Sequence, residues 1–317
     1  MAESVLITGG AGYLGSILSE HLLERGFRVT VLDNLSFGEQ SLFHLCADPR
    51  FEFVYGDVRD EALVRRLSAE AEILVPLAAI VGAPACDRDP AQAQSVNLDA
   101  IRLLLRCRSP KQLVVYPTTN SGYGTKSGLD YCTEETPLEP ISLYGRTKVQ
   151  AETAVLESPN TITLRLATVF GMSPRMRLDL LVNYFVHEAV TRRAIVLFEK
   201  DFKRNYVHIR DVADCFLHSI AHADRMVGRP YNVGLDSANL SKEELAQKIR
   251  RHVRDLAILV AEMGRDPDQR NYIVSSQRLC DAGFVARRSL DEGIHELIKG
   301  YRMQGRGRFT KDRKSVV

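Results

Sequence analysis

Tyr144 and Lys148 are the two residues of this 317-residue chain whose types and spacing best fit acid–base chemistry. Four positions apart, they lie on one face of the helix that the sequence predicts just beyond Pro140. A phenol is a weak base at neutral pH because its ordinary pKa is about 10. An ammonium group within a few ångströms would stabilise the phenolate and lower that pKa, which would make Tyr144 a usable general base.

This pair alone also fits an exposed helix face, so its position decides the interpretation. It follows a predicted strand that ends in the segment 116–124, which offers hydroxyl groups where a substrate would lie. It also follows a complete set of features typical of dinucleotide binding. Both facts favour the catalytic interpretation over the surface one.

A glycine-rich turn near the N-terminus predicts dinucleotide binding. Gly9, Gly12 and Gly15 follow the apolar run 5–7, a spacing that lets the backbone turn sharply and approach a pyrophosphate at a helix N-terminus. A second apolar run ends in Asp33, about twenty residues later, where a carboxylate would accept the ribose hydroxyls of NAD. The same carboxylate would repel the 2′-phosphate of NADP, so the expected cofactor is NAD.

Strand-like and helix-like segments alternate through the first half of the chain. The predicted strands are 5–7, 27–32, 51–55, 73–77 and 113–116. This alternation predicts an α/β fold, a Rossmann-type doubly wound parallel sheet with its ligand along the carboxyl edge of the strands. At that edge, Asp57 is either an acceptor for the adenine amino group or the N-cap of the helix 61–69. Ala78 and Ala79 are small enough to let a cofactor pass.

The second half of the chain predicts a smaller, partly discontinuous substrate-binding lobe. We expect residues 1–170 to form the NAD-binding domain, with later strands from about 195–230, and residues 171–194 and 230–301 to form the lobe. Residues 302–317, which are rich in lysine and arginine, are typical of a flexible chain terminus. Arg175 and Arg177 lie in a predicted loop, where they are either phosphate ligands or ordinary surface charges.

Composition gives no support to several classes of partner. Lysine and arginine (42) nearly balance aspartate and glutamate (40), so the net charge of +2 gives no reason to expect nucleic acid. The longest apolar stretch, 73–85, is too short to cross a bilayer, and we expect a cytoplasmic protein with no membrane partner. The six cysteines form no CxxC pair, so neither a disulfide framework nor a metal site is expected.

Together these features resemble the extended short-chain dehydrogenase/reductase family, in its nucleotide-sugar epimerase/dehydratase branch. The resemblance rests on TGGAGYLG at 8–15, Asp33, Asn34, Asp57, Val58, Leu77, Ala78, Ala79, Asn97, Thr119, Tyr123, Gly124, Tyr144, Lys148 and the segment 204–212. It implies that NAD is bound by Gly9, Gly12, Tyr13, Leu14, Asp33, Asn34, Asp57, Val58, Leu77, Ala78, Ala79, Asn97, Tyr144 and Lys148. It further implies that Tyr144 removes a proton from a sugar hydroxyl, that Thr119 shares that hydrogen bond, and that Lys148 holds the nicotinamide ribose.

The same resemblance implies a set of substrate ligands. They are Asn120, Ser121, Thr168, Arg175, Arg177, Asn183, Arg204 and Arg270, of which Arg204 and Arg270 would bind the diphosphate of a sugar nucleotide. Thr168 stands where the family usually has an asparagine that binds phosphate. Asn120 and Ser121 replace the Asp-Glu pair of relatives that dehydrate their substrates. Neither residue can supply the proton donor and acceptor that dehydration needs, which disfavours a 4,6-dehydratase.

The sequence therefore predicts an NAD-dependent enzyme that oxidises a nucleotide-activated sugar at C4, as a 4-dehydrogenase or as a 4-epimerase through a 4-keto intermediate. A GDP-sugar is favoured because the segments 117–124, 165–183 and 204–212 look most like capsule-sugar GDP-heptose 4-dehydrogenases. The competing hypothesis is a redox-inactive dinucleotide-binding sensor or scaffold, which has no need of the intact Thr119, Tyr144 and Lys148. Helices at 90–107 and 144–156 resemble the family's dimer interface, so we expect a homodimer or a higher homo-oligomer.

Overall fold

The computed structural model describes residues 3–38, 40–126, 131–261 and 271–303. Its strands, in chain order, are β1 (Ser4–Thr8), β2 (Arg28–Asp33), β3 (Phe51–Tyr55), β4 (Ile73–Pro76), β5 (Leu113–Thr119), β6 (Tyr131–Cys132), β7 (Thr161–Leu166), β8 (Thr168–Phe170), β9 (Ala194–Leu197), β10 (Lys203–His208), β11 (Pro230–Val233), β12 (Asn239–Ser241), β13 (Ala257–Val260) and β14 (Ile273–Val274). Seven of them form one parallel sheet in the order β3-β2-β1-β4-β5-β7-β11. The order reverses between β1 and β4, and doubly wound sheets bind ligands in the crevice at such a reversal. The predicted Rossmann-type fold is confirmed.

The helices cover this sheet and build a second lobe. In chain order they are α1 (Tyr13–Glu24), α2 (Glu61–Ala69), α3 (Ala83–Arg88), α4 (Pro90–Gln94), α5 (Ala100–Cys107), α6 (Leu143–Leu156), α7 (Leu181–Thr191), α8 (Ile209–Ala221), α9 (Ala223–Met226), α10 (Lys242–His252), α11 (Gln277–Asp281) and α12 (Leu290–Met303). A π-helical turn, Ser95–Asp99, joins α4 to α5, so the helix predicted at 90–107 is interrupted by one wide turn. Within the described ranges, no helix is both long and apolar enough to cross a membrane.

Both faces of the large sheet are covered at its centre, which explains why β4 is buried and apolar throughout, whereas β3, at the edge, is largely exposed. Side chains alternate along β1, so Val5 and Ile7 pack into a core shared with Leu18 on α1. Leu6 points to the opposite face and packs into a core shared with Val64 on α2. The sheet is therefore the middle of three layers, with α1 and α8 on one side and α2, α5 and α6 on the other.

A second core belongs to the small lobe. It buries Phe185 of α7, Leu245 of α10 and Leu297 of α12. We expected strands of the large sheet from about 195–230, but β9 and β10 belong to small sheets, in the orders β13-β9 and β12-β10-β8. The reason is that β10 pairs with β8 and β12 and then leads into α8, which covers the large sheet beside α1. Only β11, at the end of that region, joins the large sheet.

A buried ion pair connects the large sheet to α6. Arg165 on β7 donates from Nε to Glu152 on α6 over 2.8 Å, and both side chains are almost fully buried. The same guanidinium donates to the hydroxyl of Tyr123 over 3.1 Å. These bonds fix α6, the helix that carries Lys148, against the sheet. Glu152 lies one helical turn beyond Lys148, so the pair also shapes the electrostatic environment of that lysine.

Arg165→Met should lower the free energy of unfolding by roughly 3–5 kcal/mol, because it leaves the Glu152 carboxylate buried without its partner. Replacing both residues, as Arg165→Met with Glu152→Met, should recover most of that loss, since no buried charge remains. Urea-induced unfolding followed by circular dichroism measures both effects. The matched control is Arg65→Met, which breaks an exposed pair with Glu61 and should cost less than about 1 kcal/mol. A loss for Arg165→Met no larger than this control would contradict the prediction.

Candidate active site

One cleft lies between the carboxyl edge of the large sheet and the small lobe. Its walls include these predicted residues: Gly9, Gly12, Tyr13, Leu14, Asp33, Asn34, Asp57, Val58, Leu77, Ala78, Ala79, Thr119, Ser121, Tyr144, Lys148, Thr168, Arg175, Arg177 and Arg204. Side chains and backbone from the two lobes, far apart in the chain, thus meet in one place. Their individual roles as ligands stay predictions.

The glycine turn is required by the close approach of neighbouring backbones. Gly9 has a φ of +74°, and a Cβ on it would lie 2.5 Å from the backbone nitrogen of Ala78. A Cβ on Gly15 would lie 2.6 Å from the Cα of Gly10, so only glycine lets α1 pack this closely on the turn. The N-cap of α1, Gly12, brings no side-chain cap, and no acidic residue occupies the first turn. This helix N-terminus is suited to a phosphate group.

Asp33 is held in one orientation at the edge of the cleft. Its Oδ2 accepts a hydrogen bond from the backbone N–H of Ala11 over 3.0 Å, and its Oδ1 accepts from the N–H of Leu35 over 2.8 Å. The glycine turn thus fixes the carboxylate, whose remaining lone pairs can accept ribose hydroxyls.

Asp57 lies at the next strand end and pairs with Arg59. The Nε of Arg59 donates to Oδ1 of Asp57 over 2.9 Å, and this hydrogen-bonded pairing lowers the pKa of the carboxyl. The N-cap of α2 is instead Asp60, whose side chain accepts from the N–H of Leu63. The capping interpretation of Asp57 is therefore wrong, and its interaction with adenine stays a prediction.

Thr119 and Tyr144 both line the cleft. Thr119 ends β5, and its Oγ1 lies 2.8 Å from the Oγ of Ser121 and accepts from the N–H of that residue over 3.1 Å. Ser142 caps the N-terminus of α6 by accepting a backbone hydrogen bond, which places Tyr144 in the first turn. Lys148 follows one turn later on the same face.

The ammonium group of Lys148 is buried over the ring of Tyr116. Its Nζ lies 4.0 Å from the ring centroid, and only 5% of the residue is exposed. Burial lowers the pKa of Lys148 to about 7, and the carboxylate of Glu152 opposes that change. Burial, followed by the neighbouring Tyr144, raises the pKa of Tyr116 well above its ordinary value, so this phenol stays neutral and offers its ring face to the cation.

The small lobe brings Arg175, Arg177 and Arg204 to the cleft. Arg177 makes two hydrogen bonds to the carboxylate of Asp179, of which the one from Nε is 3.1 Å long. Burial opposes the charge of Arg177, but Asp179 outweighs it and the pKa of the guanidinium is raised. The phenols of Tyr144 and Tyr13, which line the same cleft, also raise the pKa of Arg177. Arg204, on β10, is almost fully buried.

Two predicted ligands lie one layer behind the cleft. Asn97 accepts from the N–H of Ile80 over 2.8 Å and donates to its carbonyl over 2.9 Å, which holds the loop after β4. Asn183 accepts from the N–H of Gly171 and donates to the hydroxyl of Tyr13, both over 3.1 Å. In this conformation both amide groups are engaged in hydrogen bonds within the protein, and their contacts with cofactor and substrate stay predictions.

Asn120 and Arg270 are placed differently from the other predicted ligands. Asn120 is completely buried, and within the described part of the chain neither of its amide atoms has a hydrogen-bond partner. It therefore does not reach the cleft in this conformation, in contrast to its neighbour Ser121. Arg270 lies outside the described residues, so its contact with a substrate diphosphate stays a prediction.

Sequence reasoning missed Tyr116, Phe37 and Asp179 as parts of this site. The alternation of β5 contained a signal for Tyr116, because Val114 and Tyr116 share the face that α6 covers. No pattern marks Phe37, whose ring packs under the guanidinium of Arg175 from the other lobe. The role of Asp179 likewise depends on the conformation of a loop.

Comparison with known proteins adds to this geometry. The family model described as the NAD dependent epimerase/dehydratase family matches residues 5–234. A similar protein, probable UDP-arabinose 4-epimerase 1 of Oryza sativa subsp. japonica, is 28% identical over 75% of this chain, which spans 65% of that protein's length. The low-salt glycan biosynthesis protein Agl12 of Haloferax volcanii is 27% identical over 94% of this chain and 98% of its own.

Among solved structures, the UDP-glucose 4-epimerase of Thermus thermophilus, determined in complex with NAD, superposes with a TM-score of 0.79. It is 25% identical, and the match covers 94% of this chain and 99% of that one.

The pH dependence of stability should report the burial of Lys148. Its pKa is about 7 in the folded protein and about 10.4 in an unfolded chain. Between these values the unfolded chain binds the additional proton, so the contribution of Lys148 to the free energy of unfolding becomes more favourable as pH rises. Relative to Lys148→Met, the wild-type protein should therefore gain stability from about pH 7 to about pH 10.

Urea-induced unfolding of the wild type and of Lys148→Met at about pH 7, 8.5 and 10 measures the difference between their free energies of unfolding. Groups that titrate alike in both proteins do not contribute to this difference. Lys111→Met replaces an exposed lysine and is the matched control, for which the difference should not change with pH. A difference that is also constant for Lys148→Met would show that its ammonium group is not desolvated.

Proposed function

The chain belongs to the NAD-dependent epimerase/dehydratase family, and from that premise we propose that it oxidises a nucleotide-activated sugar at C4. The observation that carries the proposal is the meeting of Thr119, Tyr144 and Lys148 with the glycine turn in one cleft. NAD, the cofactor of the family, supplies a hydride acceptor when it is bound. The uncapped N-terminus of α1 suits its diphosphate, and the fixed carboxylate of Asp33 suits its adenosine ribose.

The side chains of the cleft supply the proton chemistry. The Tyr144 phenolate accepts the proton of the C4 hydroxyl, and Thr119 hydrogen-bonds to the same oxygen. The Lys148 ammonium stabilises the phenolate because opposite charges attract strongly where water is scarce. The ring of Tyr116 and the carboxylate of Glu152 keep this ammonium in place.

Dehydration is a weaker candidate because it needs a further acid and base beside the sugar. Positions 120 and 121 hold an amide and a hydroxyl in place of carboxyl groups. Asp179 lines the cleft, and burial favours its protonated form, but the hydrogen bond and charge of Arg177 prevail and lower the pKa of Asp179. An ionised carboxylate cannot donate a proton at neutral pH, so Asp179 does not replace the missing acid.

The nucleotide base and the net reaction are the finer parts of the proposal. The segments 117–124, 165–183 and 204–212 support a GDP-sugar, whereas the similar proteins named above include 4-epimerases of UDP-sugars. A 4-dehydrogenase releases the 4-keto sugar, and a 4-epimerase returns the hydride to its opposite face. We propose C4 oxidation as the step common to both. A homodimer through α5 and α6, which pack together on one side of the sheet, and a cytoplasmic location remain predictions.

A substrate panel tests this proposal. Purified protein is incubated with NAD and with UDP-, GDP-, CDP- and dTDP-sugars, and the products are followed by mass spectrometry and NMR, including exchange at C4. A 4-keto sugar formed with an equal amount of NADH identifies a dehydrogenase, and inversion at C4 without net NADH identifies an epimerase. A 4-keto-6-deoxy sugar would replace the proposal with dehydration. Binding of NAD without turnover of any sugar would support the sensor or scaffold.

Tyr144→Phe should lower turnover by roughly a hundredfold or more, the scale of a lost general base, while NAD affinity is kept. The substitution removes only the ionisable oxygen. Tyr184→Phe, on an exposed position of α7, is the matched control and should keep wild-type turnover. Initial rates on the best substrate of the panel measure both variants. Retained activity in Tyr144→Phe would assign the base to another residue.

Arg204→Met should raise the KM for the accepted sugar nucleotide by roughly ten- to a hundredfold, because a charge-assisted contact to the diphosphate is lost. The Kd for NAD should stay unchanged, which also verifies that the variant is folded. Arg210→Met is the control, since that guanidinium lies beside His21, between α8 and α1, and should leave KM unaltered. An unchanged KM in Arg204→Met for every accepted sugar nucleotide would remove Arg204 from the diphosphate site.

A further inference from the structure

Arg175 reaches from the small lobe to the NAD-binding side of the cleft. It lies in the loop after β8, and its guanidinium carbon is 4.3 Å from the centroid of the Phe37 ring. Phe37 follows Asp33 by four positions, and both residues line the cleft where an adenosine ribose is expected. This contact therefore joins the two lobes at the adenosine end of the cleft.

Buried hydrogen bonds anchor the same loop to the first turn of α1. The hydroxyl of Tyr13 donates to the carbonyl of Gly171 over 2.7 Å, and the hydroxyl of Ser173 donates to the carbonyl of Tyr13 over 2.8 Å. The Oγ of Ser173 also lies 3.0 Å from that of Ser16. Because Arg175 is only two residues beyond Ser173, its backbone is held close to the helix N-terminus that suits a phosphate.

Arg175 differs from its neighbours in the cleft in its charge balance. Arg59 is paired with Asp57 and Arg177 with Asp179, whereas no carboxylate in the described ranges lies within ion-pair distance of Arg175. Burial, followed by the charge of Arg177, lowers the pKa of Arg175, and the more distant carboxylates of Asp179 and Asp33 only partly offset that change. A bound anion would relieve both effects, and a planar guanidinium matches a phosphate with two parallel hydrogen bonds.

We propose that Arg175 binds the diphosphate of NAD, with Phe37 holding its guanidinium in place. The sequence assigns Arg175 and Arg177 together to the substrate. The two guanidinium groups have different partners in the structure: Arg175 lies on Phe37, close in the chain to Asp33 at the adenosine end, whereas Arg177 is hydrogen-bonded to Asp179. NAD and a sugar nucleotide carry the same diphosphate chemistry, so position decides between them. The inference rests on the family's cofactor and is independent of the proposed sugar.

Titration calorimetry with NAD and the ligand-free protein tests this assignment. Arg175→Gln should raise the Kd for NAD by about tenfold or more, as expected for the loss of a hydrogen bond to a charged group. The difference from wild type should shrink as the salt concentration rises. Phe37→Leu should raise the Kd by a smaller factor, about two- to fivefold, since only the cation–π contact is lost. Arg65→Gln, which breaks an exposed ion pair with Glu61 outside the cleft, is the matched control and should keep the wild-type Kd for NAD.

A second titration distinguishes the two diphosphates. UDP and GDP are titrated into protein saturated with NAD, and their Kd values should be the same in Arg175→Gln and in the wild type. Weaker binding of UDP or GDP with unchanged binding of NAD would assign Arg175 to the substrate and overturn the proposal. Unchanged affinity for all three ligands would make Arg175 a surface charge, which also overturns it. Should Arg175→Gln not fold, as judged by circular dichroism, Arg175→Lys and Phe37→Leu carry the same test.

Discussion

The ammonium group of Lys148 is held out of water, and the elements around it are arranged to make that possible. A charge removed from water is strongly destabilising unless nearby groups compensate. Here the ring of Tyr116 lies under the ammonium, and the carboxylate of Glu152 opposes the fall in its pKa. Glu152 is itself buried and depends on Arg165. These contacts connect α6 with β5 and β7. They hold the helix in the position in which Tyr144 lines the cleft.

The two lobes are joined at the same helix N-terminus that is suited to a phosphate. Tyr13 begins α1, yet its buried hydroxyl is bonded to Gly171 and Asn183 of the small lobe. The loop that carries Arg175 and Arg177 therefore follows the position of α1. These hydrogen bonds connect segments that lie more than a hundred residues apart in the chain.

Local patterns predicted the parts of this structure that local physics determines. The glycine turn and the helix that carries Tyr144 could be predicted because each depends mainly on residues close by in the chain, and Asp33 could be predicted because it ends a strand at a typical distance from the glycine turn. The sequence did not reveal that β9 and β10 leave the large sheet, since their partners are chosen by packing between distant segments. The same limit applies to the hydrogen bonds of Asn183, because its partners Gly171 and Tyr13 come from two distant segments. The family comparison supports the class of reaction. The substrate panel addresses the nucleotide base and the sugar.

At the π turn Ser95–Asp99, the number of residues is more important for the structure than their types. A π turn contains one residue more than the α-helical turn that it replaces. Removing that residue would rotate α4 by about 100° relative to α5 and carry Asn97 away from the loop that it holds at Ile80. A relative that shows a one-residue gap at this position when aligned with this chain would therefore differ in the wall of its cofactor cleft, however similar its flanking residues are.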